Sequence, residues 1–351
     1  MADPISGATG WLVVGTGRHV ERYGLPALAR ARSAAAVAVC GSSRERVDEL
    51  ASRHGLVAGI ELESLLTSAT VSHVYVCSRN DAHEEHVTKA AAAGKHVLCE
   101  KPLAPGTAAA RRIVDACRNA GVLLGTGFHL RHNRALQEAR RIVEDGRIGT
   151  PVRLHITYMH VIGATDDVTR LAASRSVRTP SKAVMAGTGA HAIDLARWLL
   201  NDDITDVSAT LGEFAADEPH NPHWVVETVA RTTRGVMVAL TAGRARHPDN
   251  GVLLAGTRGR ITVTGSVGHQ GGGTIRILDD AGSECLDVPT HDVYADQFDD
   301  FVAATVGGGP ASASGTDGLA ALAVSEAVEQ SLADPGGRRV AVDTPVPERV
   351  S

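Results

Sequence analysis

The chain has 351 residues, of which 43% are hydrophobic and 21% are charged, and its formal net charge is −5 at pH 7. This length suits two domains, and the slightly acidic balance excludes the basic surface that nucleic-acid-binding proteins carry. No apolar run approaches the roughly 20 residues that a membrane-spanning helix needs, and the N-terminus lacks the regions of a secretory signal. The sequence therefore predicts a cytoplasmic protein with no nucleic-acid or membrane partner.

The first 126 residues alternate between short apolar runs and helix-length polar segments. The apolar runs predict strands at 11–14, 36–40, 73–77, 95–99 and 123–125, and the segments between them predict helices at 19–33, 44–54, 82–93 and 106–119. This alternation is typical of βαβ units, and right-handed crossovers then give a doubly wound parallel sheet of the Rossmann type. We predict a dinucleotide-binding domain over residues 1–126.

Residues 127–351 show a different pattern. Helices are predicted at 135–144, 190–200, 294–305 and 317–333, and strands at 152–160, 205–214, 224–232, 236–242, 252–255, 260–263 and 274–278. Loose alternation with turn residues between the strands indicates a mostly antiparallel, open sheet with one exposed face. We predict a second domain of α+β class over these residues, with C-terminal helices able to pack back on the first domain.

A glycine turn joins the first predicted strand to the first predicted helix. In Gly15-Thr16-Gly17 the first glycine permits a tight turn, and the second lets the backbone approach a pyrophosphate at the helix N-terminus. The third glycine or alanine of a GxGxxG pattern is replaced by Val20. Such a pair of glycines also fits a plain strand-to-helix turn, but its place after the first strand of a βαβ series favours dinucleotide binding.

The end of the second predicted strand bears on the choice between NAD and NADP. NAD-selective sites usually carry an acidic residue there for the ribose 2′-hydroxyl, whereas this chain has Gly41-Ser42-Ser43-Arg44. Two hydroxyls and a guanidinium can bind a 2′-phosphate, so we expect NADP to be preferred over NAD. The alternative is that Ser43 caps the next helix and Arg44 faces water.

Four more segments carry a family resemblance. They are GKHVLCEKP at 94–102, GAHAIDLARWL at 189–199, SRNDAH at 78–83 and GFHLRH at 127–132. With the glycine turn, they resemble the glucose–fructose oxidoreductase, inositol dehydrogenase and rhizopine catabolism family, written Gfo/Idh/MocA. The first segment is the most specific of the four, and the resemblance runs from residue 11 to residue 340.

The resemblance implies hydride transfer between a nicotinamide and a carbon of a sugar-like alcohol or ketone. It implies that Lys101 hydrogen-bonds the reacting oxygen, that His191 is the acid/base, and that the two side chains share one pocket. Lys101 ends a strand, where ligands of doubly wound sheets bind, and Pro102 cannot extend the strand pairing. Asp194, one helical turn beyond the histidine, is expected to be structural. The expected cofactor-binding residues are Gly15, Gly17, Arg18, His19, Ser42, Ser43, Arg44, Ser78, Asn80, His83, Glu100 and Lys101.

One position departs from the family pattern. Family members commonly have an aspartate four residues before the histidine, and here Gly187 stands there. Thr188 or a residue of the segment 160–182 could compensate. We expect that no charged group does so, and that the substrate is held in a different pose.

Two other functions stay open, an NAD(P)H-dependent imine reductase and a non-catalytic protein that senses dinucleotide. Retention of both Lys101 and His191 opposes the sensor, because a sensor needs neither. The resemblance also implies a homo-oligomer, a dimer or tetramer, formed through the open sheet. No CxxC or His/Cys spacing of a metal site occurs, so we expect no metal, and we expect Cys40, Cys77 and Cys99 to be reduced and buried.

Overall fold

The computed structural model describes residues 8–161, 179–214, 223–334 and 336–343. The chain divides into two compact units. The first consists of Met1–His129 and Asp292–Leu319, and the second of Leu130–His291 and Ala320–Ser351. No helix in the described ranges is long and apolar enough to cross a membrane.

The first unit contains a six-stranded sheet in which every pairing is parallel. The strand order β3-β2-β1-β4-β5-β6 is that of a doubly wound Rossmann sheet, which confirms the predicted class. The third strand is too short to show alternation, and the sequence analysis did not predict it. The strands are β1 Thr9–Val14, β2 Ala34–Cys40, β3 Val57–Gly59, β4 His73–Val76, β5 His96–Cys99 and β6 Leu124–Thr126.

Helices connect these strands, as the polar segments between the apolar runs predicted. The first helical segment contains a π-helical turn, Val20–Gly24, and ends at Arg30 rather than at residue 33. A short helix that the sequence analysis did not predict follows β3. The helices are α1 Leu25–Arg30, α2 Arg44–His54, α3 Leu62–Leu66, α4 His83–Ala92 and α5 Thr107–Asn119.

The second unit contains a nine-stranded open sheet in the order β14-β13-β12-β11-β7-β10-β9-β8-β15. Its pairings are antiparallel except for the parallel pair β7–β10, which confirms the predicted mostly antiparallel sheet. The sequence analysis missed β14, because its mainly exposed residues show no apolar alternation. The strands are β7 Pro151–Val161, β8 Ile204–Phe214, β9 His223–Thr232, β10 Met237–Ala245, β11 Gly251–Gly256, β12 Gly259–Thr264, β13 Gly273–Asp279, β14 Gly282–Val288 and β15 Val340–Ala341.

Among the described residues, three helices of the second unit come before β8. They are α6 Arg134–Glu144, α7 Pro180–Val184 and α8 Ala190–Leu200. A π-helical turn, Met185–Gly189, joins α7 to α8 without a break in the helical run. Turns of this kind are often found at functional sites, and this one comes two residues before His191.

The last two helices are α9 Val293–Gly307 and α10 Gly315–Leu332. Asp292 caps α9, since its carboxylate accepts from the backbone N–H groups of Tyr294 and Ala295 at 3.0 Å each. Within the first unit, the ring of Phe298 on α9 meets the buried Trp11 ring edge-on, with centroids 5.0 Å apart. The core of this unit therefore joins its first strand to a helix near the end of the chain.

Candidate active site

The glycine turn at the end of β1 has the form that a dinucleotide requires. Gly15 has φ +129°, and a Cβ built on it would lie 2.3 Å from the carbonyl oxygen of Cys77, so only glycine fits. A Cβ on Gly17 would have no atom of the described residues within 4 Å. Arg18 is exposed and His19 half-buried at the start of the helix. The turn thus leaves open space at a helix N-terminus, where backbone N–H groups favour a phosphate.

The end of β2 presents its polar residues to solvent. Ser43 caps α2, since its Oγ accepts from the backbone N–H of Arg46 at 3.4 Å, and Ser42 is exposed. The Arg44 side chain is 57% exposed, and its guanidinium lies 3.8 Å from the Asp48 carboxylate. The capping role that the sequence left as an alternative is therefore present, and it leaves the Arg44 side chain at the surface.

Arg46 is a residue near the glycine turn that the sequence analysis did not single out. Its guanidinium donates to the carbonyl oxygen of Thr16 at 3.5 Å and lies 3.1 Å from the Glu21 carboxylate. The sequence signal that could have identified it is a second arginine in the first turn of α2, two residues after Arg44. Arg46 links that helix to the glycine turn.

The loop after β4 is fixed from behind by a histidine. His83 is fully buried, and its ring nitrogens lie 3.1 Å from the carbonyl oxygen of Pro102 and 3.2 Å from that of Ser78. Both partners are backbone carbonyl oxygens, so His83 supports the loop, and its expected contact with the cofactor stays a prediction. The hydroxyl of Ser78 contacts His86 Nδ1 at 2.8 Å, and Asn80 is half-buried.

Glu100 and Lys101, at the end of β5, form the charged centre of the first unit. The buried Glu100 carboxylate accepts from the Tyr75 hydroxyl at 2.8 Å and from the backbone N–H of Lys101 at 3.2 Å, and it lies 3.3 Å from Nε2 of His19. The Lys101–Pro102 peptide bond is cis, and the Lys101 side chain is half-buried. The buried Glu100 carboxylate therefore contacts both His19, in the helix after the glycine turn, and the backbone of Lys101.

The two charges shift each other's pKa. Burial by itself raises the pKa of Glu100, but the charges of His19 and Lys101 outweigh it and lower the pKa to about 2. Burial lowers the pKa of Lys101, and the negative Glu100 opposes this change. Glu100 is thus ionised at neutral pH, and the Lys101 ammonium releases its proton more readily than an exposed lysine.

His191 lies at the start of α8 in the second unit and is buried. Its ring centroid is 5.7 Å from that of Tyr158 on β7. The preceding π-helical turn is fastened to β10, because the Thr188 hydroxyl accepts from the backbone N–H of Gly243 at 3.1 Å. The Thr188 hydroxyl therefore holds the π-helical turn against β10. Thr188 directly follows Gly187 in the chain.

The space that an aspartate side chain would occupy at Gly187 faces a histidine. Among the described residues, the atom nearest to a Cβ on Gly187 would be Nε2 of His160, at 3.8 Å. The His160 ring stacks near that of His269, with centroids 6.3 Å apart and planes inclined by 17°. The sequence analysis named His160 only as the first residue of the segment 160–182, and residues 162–178 of that segment lie outside the described residues.

Asp194 forms a buried ion pair with Arg131, the arginine of the segment GFHLRH. Nε and Nη2 of Arg131 donate to the two carboxylate oxygens at 2.9 Å and 2.5 Å. This two-pronged pair anchors α8 to the residues before α6, which is a structural role for Asp194 as expected. Sequence alone gave no sign of the pairing partner.

In the described ranges, no three His, Cys, Asp or Glu side chains are grouped so that they could hold a metal ion. All five cysteines are free. Cys40 and Cys99 are buried, whereas Cys77 is only half-buried, because it lies one residue beyond the last residue of β4.

A Rossmann sheet with an open glycine turn, next to a lysine and a buried glutamate at a strand end, defines a dinucleotide-dependent oxidoreductase. Comparison with known families agrees. A family model described as "Oxidoreductase family, NAD-binding Rossmann fold" matches residues 9–128, and the "GFO/IDH/MocA C-terminal domain" matches residues 136–267. The chain belongs to the Gfo/Idh/MocA oxidoreductase family, as its sequence motifs predicted.

Curated relatives match over most of the chain. A 1,5-anhydro-D-fructose reductase of Ensifer adhaerens is 29% identical over 330 residues, which cover 92% of this chain and 96% of that protein. A myo-inositol 2-dehydrogenase of Thermotoga maritima is 30% identical over 280 residues, or 76% of this chain and 79% of that protein. Among solved structures, an aldose-aldose oxidoreductase of Caulobacter crescentus has a TM-score of 0.83 at 21% identity, and the match covers 95% of this chain and 99% of that one.

Proposed function

We propose that the protein transfers a hydride between a nicotinamide and a carbon of a sugar-like alcohol or ketone. The observation that carries this proposal is the half-buried Lys101 at the carboxyl end of β5, beside the buried anion of Glu100. Ligands of doubly wound sheets bind beyond these strand ends. The sugar-like substrate is supported by the names of the relatives, an anhydrofructose reductase and an inositol dehydrogenase.

The residues of the first unit fit a dinucleotide. Gly15 makes the turn, the open space at Gly17 admits the pyrophosphate, and the helix that follows offers its first N–H groups. When bound, the nicotinamide accepts or donates the hydride. We propose that Arg18 and His19 at the helix start, with Ser78 and Asn80 after β4, line the same cofactor.

Lys101 is proposed to bind the reacting oxygen. Its ammonium donates a hydrogen bond to that oxygen. Negative charge develops on the oxygen as the carbonyl is reduced or the hydroxyl loses its proton, and the ammonium stabilises this charge. Burial lowers the pKa of Lys101, so the ammonium releases its proton more easily. The Glu100 anion acts in the opposite direction and favours the protonated form of Lys101. Glu100 therefore sets the balance between holding the oxygen and giving it a proton.

His191 is proposed to be the acid/base. Loss of a hydride from carbon leaves a stable product only if the hydroxyl proton also leaves, and an imidazole can take that proton near neutral pH. The π-helical turn and the Thr188 hydroxyl bond to β10 fix the start of α8, and hence the ring. This role requires that His191 and Lys101 act on the same substrate, which stays a prediction.

We propose NADP rather than NAD as the preferred cofactor. The support is the absence of an acidic residue in Gly41-Ser42-Ser43-Arg44 and the surface position of the Arg44 guanidinium. Its exposed and loose contact with Asp48 contributes little, since such surface pairs are worth about 0–1 kcal/mol. Arg44 can therefore turn to a 2′-phosphate at small cost.

The proposed function is tested by following NADPH absorbance with a panel of keto-sugars and cyclic imines. We expect turnover with at least one keto-sugar, and loss of that turnover in His191→Ala. Turnover confined to imines would favour the C=N reductase instead. A folded sample that binds NADPH in calorimetry but turns over no carbonyl or imine would support the sensing protein.

We further propose a cytoplasmic homo-oligomer, a dimer or tetramer. The described strands of the second unit's sheet carry five exposed large apolar residues, Val152, Val161, Val229, Met237 and Leu278, with exposures of 46%, 62%, 52%, 46% and 43%. Apolar surface of this kind is typical of interfaces. Light scattering should give at least twice the chain mass of 36.5 kDa, and a monomer at micromolar concentration would refute the assembly.

A further inference from the structure

The Glu100 carboxylate is held by several groups of the first unit. Its Oε1 accepts from the Tyr75 hydroxyl on β4 at 2.8 Å and lies 3.3 Å from Nε2 of His19, at the start of the first helical segment. Its Oε2 accepts from the backbone N–H of Lys101 at 3.2 Å. Because these groups come from three different parts of the chain, they fix both the place and the orientation of the carboxylate.

Gly127, the first residue after β6, covers one face of this carboxylate. A Cβ on Gly127 would lie 2.7 Å from Oε1, 2.9 Å from Cδ and 3.0 Å from Oε2 of Glu100. The three distances are nearly equal, so the glycine faces the plane of the carboxylate. The glycine backbone is itself fixed, since its N–H donates to the carbonyl oxygen of Cys99 at 2.8 Å. A larger residue here would therefore displace the flexible end of the Glu100 side chain.

Four other titratable side chains of the first unit interact with this carboxylate, and each is neutral near pH 7. Burial raises the pKa of the Tyr75 hydroxyl and of the Cys77 and Cys99 thiols. Burial lowers the pKa of His83. Glu100 is ionised, with a pKa of about 2, so it brings a full negative charge into these surroundings.

The place of this anion matters for Lys101. Burial lowers the pKa of Lys101, and the negative charge of Glu100 opposes that change. The interaction of two charges weakens as their separation grows, so a displaced carboxylate changes the protonation equilibrium of the lysine. Because Gly127 leaves room for the carboxylate, it determines where the anion stands.

We propose that Gly127 is a positioning residue for Lys101, because it holds the Glu100 carboxylate where the anion keeps the lysine protonated as the donor to the reacting oxygen. The inference rests on the proposed function, which it deepens by identifying a residue that controls the acidity of the lysine. Tyr75 and His19 hold the same carboxylate through Oε1.

The small number of lysines allows the protonation of Lys101 to be measured without turnover. The chain has four, Lys89, Lys95, Lys101 and Lys182. Trace acetylation with acetic anhydride across the titration range of lysine, analysed by mass spectrometry, gives the midpoint pH at which each amine becomes reactive. Glu100→Gln should lower the Lys101 midpoint by about 1 pH unit or more, because no anion then opposes the effect of burial.

Gly127→Ala tests the position of the charge in a double-mutant cycle. It should move the Lys101 midpoint by about 0.5 pH unit, which is the change that a displacement of roughly 1 Å produces for two charges about 4 Å apart. In the Glu100→Gln background it should move the midpoint by less than about 0.2 pH unit, because glutamine has the same shape without the charge. Tyr75→Phe adds no atom and removes one donor to Oε1, so it provides a second displacement with the same expectation.

Two control variants accompany these measurements. Gly307→Ala adds the same methyl group to the first unit at a place where a Cβ meets no described atom within 4 Å. Glu85→Gln removes an exposed carboxylate that lies 2.6 Å from the Lys89 ammonium. Both should leave the Lys101 midpoint unchanged. An unchanged Lys101 midpoint in Glu100→Gln would overturn the proposal, and so would a Gly127→Ala shift of the same size in both backgrounds, since the methyl group would then not act through the charge.

Kinetics separates this inference from the proposed function. In the reduction of a keto-sugar, kcat should fall as rising pH removes the Lys101 proton, and Glu100→Gln should move this fall to lower pH by the shift that the labelling shows. Absence of turnover with every carbonyl compound would refute the proposed function, whatever the labelling shows. Turnover by an enzyme whose Lys101 midpoint ignores Glu100 and Gly127 would leave the function in place and refute only the positioning role.

Discussion

The two glycines of the turn after β1 should fail in different ways when each is replaced by alanine. Gly15→Ala places a Cβ 2.3 Å from the carbonyl oxygen of Cys77 and imposes φ +129° on a residue with a side chain. Backbone strain of this kind costs about 1–3 kcal/mol, and forcing an extra carbon into packed surroundings costs about 1–3 kcal/mol more. We therefore expect the free energy of unfolding to fall by about 2–6 kcal/mol.

Gly17→Ala is the matched control for that stability change. Its Cβ has no neighbour within 4 Å in the described part of the chain, so the free energy of unfolding should change by no more than about 0.5 kcal/mol. The added methyl group would, however, stand in the space through which the pyrophosphate approaches. We expect the affinity for NADPH to fall at least about 10-fold, which corresponds to about 1.4 kcal/mol.

Scanning calorimetry and NADPH titration measure the two effects separately. The transition that contains the first unit should move down by at least about 4 °C in Gly15→Ala, at about 2–4 °C per kcal/mol for a domain of this size. It should stay in place in Gly17→Ala. An unchanged melting temperature for Gly15→Ala would show that the turn is not fixed by Cys77. Unchanged NADPH affinity in Gly17→Ala would remove the pyrophosphate from this turn.

The other predictions concern charged residues. Lys101→Ala should lower kcat by about 10²–10⁴-fold with NADPH affinity kept, and near-normal turnover would contradict its role. Arg44→Ala should erase an about 10–100-fold preference for NADPH over NADH, because one charge-assisted contact contributes about 1.5–3 kcal/mol. Equal dissociation constants of the wild type for NADPH and NADH would disprove the preference. Because folding lowers the pKa of Glu100 from 4.5 to about 2, the stabilisation from the ionised carboxylate is present above pH 4.5 and is lost as the pH falls to 2. In urea titrations across this pH range, the free energy of unfolding should fall by about 3 kcal/mol less in Glu100→Gln than in the wild type. Asp194→Asn leaves the buried Arg131 charge without its carboxylate and should cost about 3–5 kcal/mol in the same assay, with partial recovery when Arg131 is also made Met.

The sequence by itself determined the elements whose signals are local. Apolar runs such as that of β1, and the helix 44–54 with its Ser43 cap, depend on the spacing of neighbouring residues, which sets which face is buried. The glycine turn and the Glu100-Lys101-Pro102 strand end were also readable, because the backbone restrictions of glycine and proline act within a few residues. Short or polar elements, β3 and β14, gave no such signal.

The tertiary structure decided which of these residues meet. His19 and Glu100 are 81 positions apart in the sequence, Arg131 and Asp194 are 63 apart, and Gly187 faces His160 across the step from a helix to a strand. Glu100 is a buried anion with a pKa of about 2, and not a solvated partner of Lys101, because it contacts His19 and Tyr75. These two residues belong to other elements of the fold. Long-range packing fixes such distances, and the pKa of a side chain depends on its burial and on the charges and hydrogen bonds within a few ångströms. The sequence could therefore name the lysine and the histidine, but only the fold shows the charges that surround them.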